Sequence, residues 1–165
     1  MESNKNNQKG REIKHSHLVQ ASMPVIFVII WILDSQIFSL SIILDVFIPL
    51  IARIILFAVV LSAALLLMKF SHDALFKGNK PSNALIVKGI LSHVRNPLYL
   101  GIILLYISLL FLSFSIICVA LLVVIVLVYN KMVNYEEKVL ESIFGNPYLE
   151  YKEKTPKWIP KLSSN

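Results

Sequence analysis

From Val46 to Phe70 the chain is apolar except for Arg53, Ser62 and Lys69, with Pro49 near its start. A stretch of that kind exceeds the roughly 20 residues a helix needs to cross the bilayer core. Further apolar runs extend over Leu18–Leu33 and Pro97–Tyr129, so the question is what solvent receives them. With 56% hydrophobic and 16% charged residues in 165, the chain is far more apolar than soluble domains of its size. Lipid is the fitting solvent, and collagen-like, disordered and disulfide-scaffold classes are excluded by the same composition. Cys118, the single cysteine, lies inside an apolar run and forms no internal disulfide.

The runs divide the chain. Met1–His17 is a polar, basic arm, followed by the first apolar segment, which contains Pro24 and lacks a small-residue cleavage site after it. It reads as a retained, short first span rather than a signal peptide. Asp34-Ser35-Gln36 interrupts it, and Ile37–Leu44 is too short to span and reads as a connecting, re-entrant segment. Pro49 suits the first turn of a second helix over about Val46–Phe70, where its missing N–H costs nothing. Ser71–Asn96 is the longest polar loop between spans. Pro97 opens a third span to about Phe114, and a fourth continues to Tyr129 with Ser113 and Ser115 at the join, a tight helical hairpin. Lys131–Phe144 carries Val133, Glu137, Leu140 and Phe144 at helical spacing, the pattern of an amphipathic helix at the bilayer surface.

Fifteen of the 16 basic residues fall before the first span, from Lys69 at the end of the second to the start of the third, or after the fourth. Asp34 and Asp45 lie in the opposite loops, which hold no Lys or Arg. An even number of spans with both termini cytoplasmic satisfies the positive-inside rule. The net charge of +6 therefore reports topology and not nucleic-acid binding. Arg53, two turns into the second helix, needs a partner, with Asp45 or Asp34 the candidates.

Two polar stretches border the hairpin. One runs Gly89-Ile90-Leu91-Ser92-His93-Val94-Arg95-Asn96-Pro97-Leu98-Tyr99-Leu100-Gly101. The other, from Glu136-Glu137 through Phe144-Gly145 to Tyr148 and Tyr151, follows it. In order and spacing, from about Asn83 to Pro160, the chain resembles the isoprenylcysteine carboxyl methyltransferase and phospholipid methyltransferase group of integral membrane enzymes. Where that group commonly has an aromatic residue two positions after the first glycine this chain has Leu91, and Ser92 stands where a basic residue often follows.

The resemblance implies an all-α polytopic membrane protein in which residues 71–165 form the core. There, the cytoplasmic loop and the amphipathic C-terminal helix form a pocket for S-adenosyl-L-methionine. Residues 1–17 and 18–70 are then the arm and the N-terminal spans of one domain. Cofactor contacts are implied at Asn83, Ala84, Leu85, Ile86 and Gly89, at Leu91 and His93, and at Asn96, Pro97, Leu98 and Tyr99. Glu136 and Glu137 would meet the cofactor's ammonium or ribose, or balance its sulfonium, and Tyr148 and Tyr151 would line the adenine or sit in the interfacial belt. On the residues alone, Asn96-Pro97 is an N-cap and first-turn pair whose exposed donors suit a carboxylate. Arg95 reads either as a carboxylate clamp or as a snorkelling cation.

No histidine shows metal-ligand spacing, and no phosphate-binding loop, dinucleotide motif or nucleophile elbow is present. The catalytic set is Glu136, Glu137, Arg95 and Lys131, with Lys131 placed to orient an acceptor carboxylate. The implied reaction is methyl transfer to a lipidic acceptor in the bilayer, first a prenylcysteine-like carboxylate, which needs no base. The alternatives are an ethanolamine headgroup, whose ammonium must lose a proton to His93 or a glutamate, a non-catalytic lipid-binding protein, and a sterol-type reductase.

Overall fold

The computed structural model describes residues 16–38, 47–76 and 85–161. Within them the chain is helical: α1 (Ser16–Ile32), a π-helical turn (Leu33–Phe38), α2 (Leu50–Phe76), a 3₁₀ turn (Gly89–Ser92), α3 (Pro97–Ser113), α4 (Ile116–Phe144) and α5 (Asn146–Lys154). No strand occurs among the described residues. Two helices, Leu50–Leu75 and Ile116–Phe144, are long and apolar enough to cross a membrane. Only 6% of the apolar window of the first is buried, with Ile51 74% and Val59 62% exposed. That outward-facing surface belongs in lipid, since a water-soluble chain would not leave it uncovered. The protein is a membrane protein.

Three differences from the sequence-based expectation have local causes. The Asp34-Ser35-Gln36 break does not end α1 but winds on as the π-turn, with Asp34 and Ser35 buried. Helix α2 runs to Phe76, six residues past its expected end, because Ser71–Phe76 holds no Gly or Pro. The surface helix expected from Lys131 is continuous with the apolar helix expected before it: α4 is 29 residues long, and nothing between Ile116 and the left-handed Gly145 breaks it. At about 1.5 Å per residue it reaches roughly 43 Å, so its last turns extend past a ~30 Å hydrocarbon core. Its charged end from Lys131 onward is the part that emerges.

The α3–α4 hairpin forms where expected. Phe114 closes α3 in the left-handed region (φ 44°), with its N–H on Leu110 O at 2.7 Å, and Ser115 caps α4 by accepting the Cys118 N–H at 3.0 Å. Polar side chains crowd this tip. Trp31 Nε1 and Ser35 Oγ donate to Ser113 Oγ at 2.9 and 2.8 Å, Ser115 Oγ donates to Asp34, and Arg53 Nη1 donates to Leu112 O at 3.0 Å. Of the partners expected for Arg53, Asp34 thus lies at the same tip, and Asp45 is outside the described residues. The bundle interior is aromatic, with Phe27 against Tyr106 at 4.7 Å, Tyr106 OH on Tyr129 OH at 3.0 Å, and Tyr99 edge-on to Tyr129 at 5.5 Å.

Among the described residues, α2 and α3 are the most extensively packed pair of helices. Gly101 makes this packing possible: a Cβ there would meet Met68 Cγ at 2.7 Å and Ala64 O at 3.1 Å. Small residues at such crossings let backbones approach where lipid offers no hydrophobic drive for association. Gly101→Val must push α3 off α2, at a cost of about 1–3 kcal/mol. Detergent-solubilised Gly101→Val is expected to melt several degrees below wild type, and an unchanged melting temperature would mean the helices are not held at this point.

Candidate functional site

The site is built where α3 begins. Pro97 at the first position of α3 supplies φ and needs no N–H partner, so Val94-Arg95-Asn96 leads straight into the helix beneath the emergent end of α4. Arg95 and Glu137 meet there, 9% and 7% exposed, with Nε to Oε1 at 3.0 Å and Nη2 to Oε2 at 3.4 Å. Arg95 Nη1 also donates to the carbonyls of Lys152 and Thr155 at 2.6 and 2.7 Å, and its backbone N–H to Pro156 O at 2.9 Å. One guanidinium thereby ties the start of α3, the end of α4 and the chain beyond α5.

Neighbouring residues complete the cluster. Asn96 precedes α3 as expected, but its side chain makes no cap bond. Its amide Nδ2 donates instead to Glu137 Oε1 (3.2 Å) and Lys157 O (3.4 Å), the first a bond to a charged acceptor. Tyr99 OH donates to Glu136 Oε1 at 2.5 Å. Tyr151 OH donates to Leu91 O at 2.7 Å, and burial pushes its phenol up to about 12 against the opposing pull of Arg95, so it stays a neutral donor. Burial also raises the Tyr148 phenol, reinforced by Glu137. A strap from Thr155 to Lys161 lies across the cluster. Lys161 N–H holds His93 O at 3.0 Å, Lys157 Nζ donates to Asn130 Oδ1 and Asn134 Oδ1 at 2.5 and 2.6 Å, and Trp158 Nε1 reaches Asn130 Oδ1 at 3.4 Å. Burial lowers the Lys157 ammonium's proton affinity, partly offset by Glu137.

On the other side of the 3₁₀ turn opens a cavity of about 910 Å³. Phe70, Asp73 and Ala74 of α2 form one wall, and Leu85–Ile90 with Ser92 and His93 form the other. The turn divides its residues between the two: Gly89, Ile90, Ser92 and His93 face the cavity, whereas Leu91 and Val94 are buried with the cluster. Gly89 sits at φ 68°, a conformation that favours glycine. Among the described residues, Leu85–Lys88 enter no backbone–backbone hydrogen bond, which leaves donors and acceptors along one wall. A largely apolar pocket of this size with a few convergent polar groups is typical of small-molecule sites.

Of the sequence-predicted residues, Arg95, Asn96, Tyr99, Glu136 and Glu137 come together in the cluster, and Leu85, Ile86, Gly89 and His93 line the cavity. Pro97 is buried at the helix start and Leu98 is exposed. Lys131 is exposed on α4, a little over one turn before Glu136, and Asn83 and Ala84 lie outside the described residues. Asp73, Lys88, Asn130, Thr155 and Lys157 were not singled out from sequence. Asp73 falls beyond the expected end of α2, and the strap has no periodicity to mark it.

Because Arg95 and Glu137 are both buried, neutralising one strands the other's charge, which typically costs about 3–5 kcal/mol. Glu137→Gln is therefore expected to lower the melting temperature of the ligand-free protein sharply. Glu136→Gln keeps a carbonyl acceptor for Tyr99 and is expected to melt within a few degrees of wild type. Equal melting of the two variants would show that the ion pair does not hold the cluster.

A family model described as phospholipid methyltransferase matches residues 45–147, from just before α2 to the start of α5, more than half of the chain. No curated protein and no solved structure matches the chain.

Proposed function

The chain belongs to the phospholipid methyltransferase family, and from that premise we propose that it is a membrane enzyme transferring a methyl group from S-adenosyl-L-methionine to a lipidic acceptor. The observation that carries this reading is the assembly of two motif segments about 40 residues apart in sequence, by Arg95–Glu137 and Tyr99–Glu136, beside a cavity lined by the segment the family resemblance assigns to the cofactor. When bound, the cofactor supplies an activated methyl on a sulfonium. The chain's task is to align the acceptor and exclude water.

The residues present fit such a ligand. Leu85–Gly89 offer backbone donors and acceptors to its polar edges, and the apolar wall suits its carbon skeleton. The phospholipid acceptor has support from Asp73 and His93, which give the cavity a carboxylate to attract an ammonium and a base to take its proton. The prenylcysteine-like carboxylate has support from Lys88 in the same lining. In this reading all four apolar helices span. The termini, the cavity and the basic segments share the cytoplasmic face, and the hairpin tip lies opposite, roughly 25 Å away along the 17 residues of α3.

The acceptor is tested by incubating purified protein and methyl-labelled S-adenosyl-L-methionine with phosphatidylethanolamine vesicles or with N-acetyl-S-farnesylcysteine. Label is expected in the phospholipid, and Asp73→Asn is expected to raise the KM for it about tenfold, equivalent to ~1.4 kcal/mol. Label in the farnesylcysteine alone would move the assignment to carboxyl methylation, and label in neither would remove the enzyme reading. For topology, a cysteine replacing Ser82 in a Cys118→Ser background is expected to react with impermeant maleimide only from the cytoplasmic face. Reaction from outside alone would invert the arrangement.

A further inference from the structure

We propose that His93 is the proton acceptor for an amine-bearing lipid, with its ring held by Gly89 and Ser92 so that Nε2 faces the acceptor as the base; this rests on the phospholipid acceptor above. The hydrogen bonds determine which nitrogen carries the proton. Ser92 Oγ donates its one hydrogen to Gly89 O at 2.8 Å. His93 Nδ1 lies 3.0 Å from that same Oγ and 3.3 Å from Gly89 O. A carbonyl oxygen only accepts, so the contact with Gly89 O places the proton on Nδ1, and Ser92 Oγ, with its hydrogen on Gly89 O, has a lone pair for the same N–H. Nδ1 is therefore the protonated nitrogen, and the lone pair is on Nε2. Nε2 makes no hydrogen bond among the described residues, and His93 lines the cavity.

The backbone fixes the rest of the ring's position. His93 O accepts from the Lys161 N–H at 3.0 Å, His93 N–H donates to Ile90 O at 3.1 Å, and Gly89 takes the left-handed conformation that turns its carbonyl toward the ring. Asp73 and Lys88 are the charged residues lining the same cavity. Asp73 complements the charge of the acceptor ammonium.

The step balances with S-adenosyl-L-methionine as co-reactant. The acceptor ammonium gives one proton to His93 Nε2, and the freed nitrogen lone pair forms the N–C bond to the sulfonium methyl. The C–S bond breaks with its electron pair left on sulfur, and the imidazolium passes its proton to solvent. A carboxylate acceptor would need none of this, so the histidine and the amine imply one another.

The test pairs a spectroscopic readout with a kinetic one on the full-length protein. In 15N-histidine-labelled protein, the His93 signal, assigned by its loss in His93→Gln, is expected to show Nδ1 protonated and Nε2 bare, with Ser92→Ala shifting it toward the opposite tautomer. In turnover with phosphatidylethanolamine vesicles, His93→Gln is expected to lower kcat about 10²–10⁴-fold, with calorimetric affinity for S-adenosylhomocysteine within about twofold of wild type. An Nε2-protonated ring in wild type overturns the base assignment. So does unchanged kcat, and so does a loss of S-adenosylhomocysteine affinity that accounts for the whole effect, which would make His93 a cofactor contact. Wild-type protein that methylates farnesylcysteine but no amine overturns the phospholipid reading together with this one, whatever the tautomer.

Discussion

The Arg95–Glu137 ion pair is the interaction on which the arrangement of the site depends. Both side chains are nearly out of solvent, and a pair buried that deeply is tolerated only when its remaining donors and acceptors are also met. Here Lys152 O and Thr155 O take the other guanidinium hydrogens, and Asn96 adds a donor to the carboxylate. The partners come from three places: the start of α3, the emergent end of α4, and the end of α5 with the residue after it. Meeting the hydrogen-bond needs of one cation therefore sets where α3 starts, how α4 emerges and how the strap returns. The cavity's second wall is the segment immediately before this anchor, so its position is inherited from the same contact.

The 3₁₀ turn at Gly89–Ser92 gives that inheritance a mechanical form. With three residues per turn, it sends Leu91 to the buried side and its neighbours to the cavity. Tyr151 holds the Leu91 carbonyl, and Lys161 holds that of His93. The cavity wall is thus pinned from behind by the C-terminal segments without those segments lining the cavity. Residues of the tail influence the site by position, which is why Tyr151 matters whether or not it touches a ligand.

Much of this was legible in the sequence, and the parts that were not have a common cause. Pro97 and the Ser113/Ser115 join marked the hairpin because proline and serine act locally, and the family resemblance singled out Arg95, Tyr99 and the paired glutamates, which the structure brings together. The continuity of α4 was hidden because polarity changes at Lys131 while helix propensity does not, and a hydropathy reading sees only the first. Asp73 was hidden for the same reason at the end of α2. Tyr106 and Tyr129 were lost inside apolar runs, where a hydroxyl pair leaves no mark on periodicity. The strap's contacts through Lys157 and Trp158 to Asn130 are wholly tertiary, the partners standing 27 and 28 positions apart, beyond any local pattern.

The order in which these partners leave the ribosome has its own consequence. Arg95 is made 42 residues before Glu137 and 60 before Thr155. At about 5–20 residues per second the guanidinium waits roughly 3–12 s for the last of its acceptors. Until Glu137 follows, the junction beneath the α3–α4 hairpin has no counter-charge, and until the strap follows, the wall before it has no backing. The long apolar helices are therefore made before their anchor is complete, and the strap supplies the last contacts that the anchor receives. A chain halted before Thr155 would carry those helices and lack the contacts that pin the cavity wall from behind.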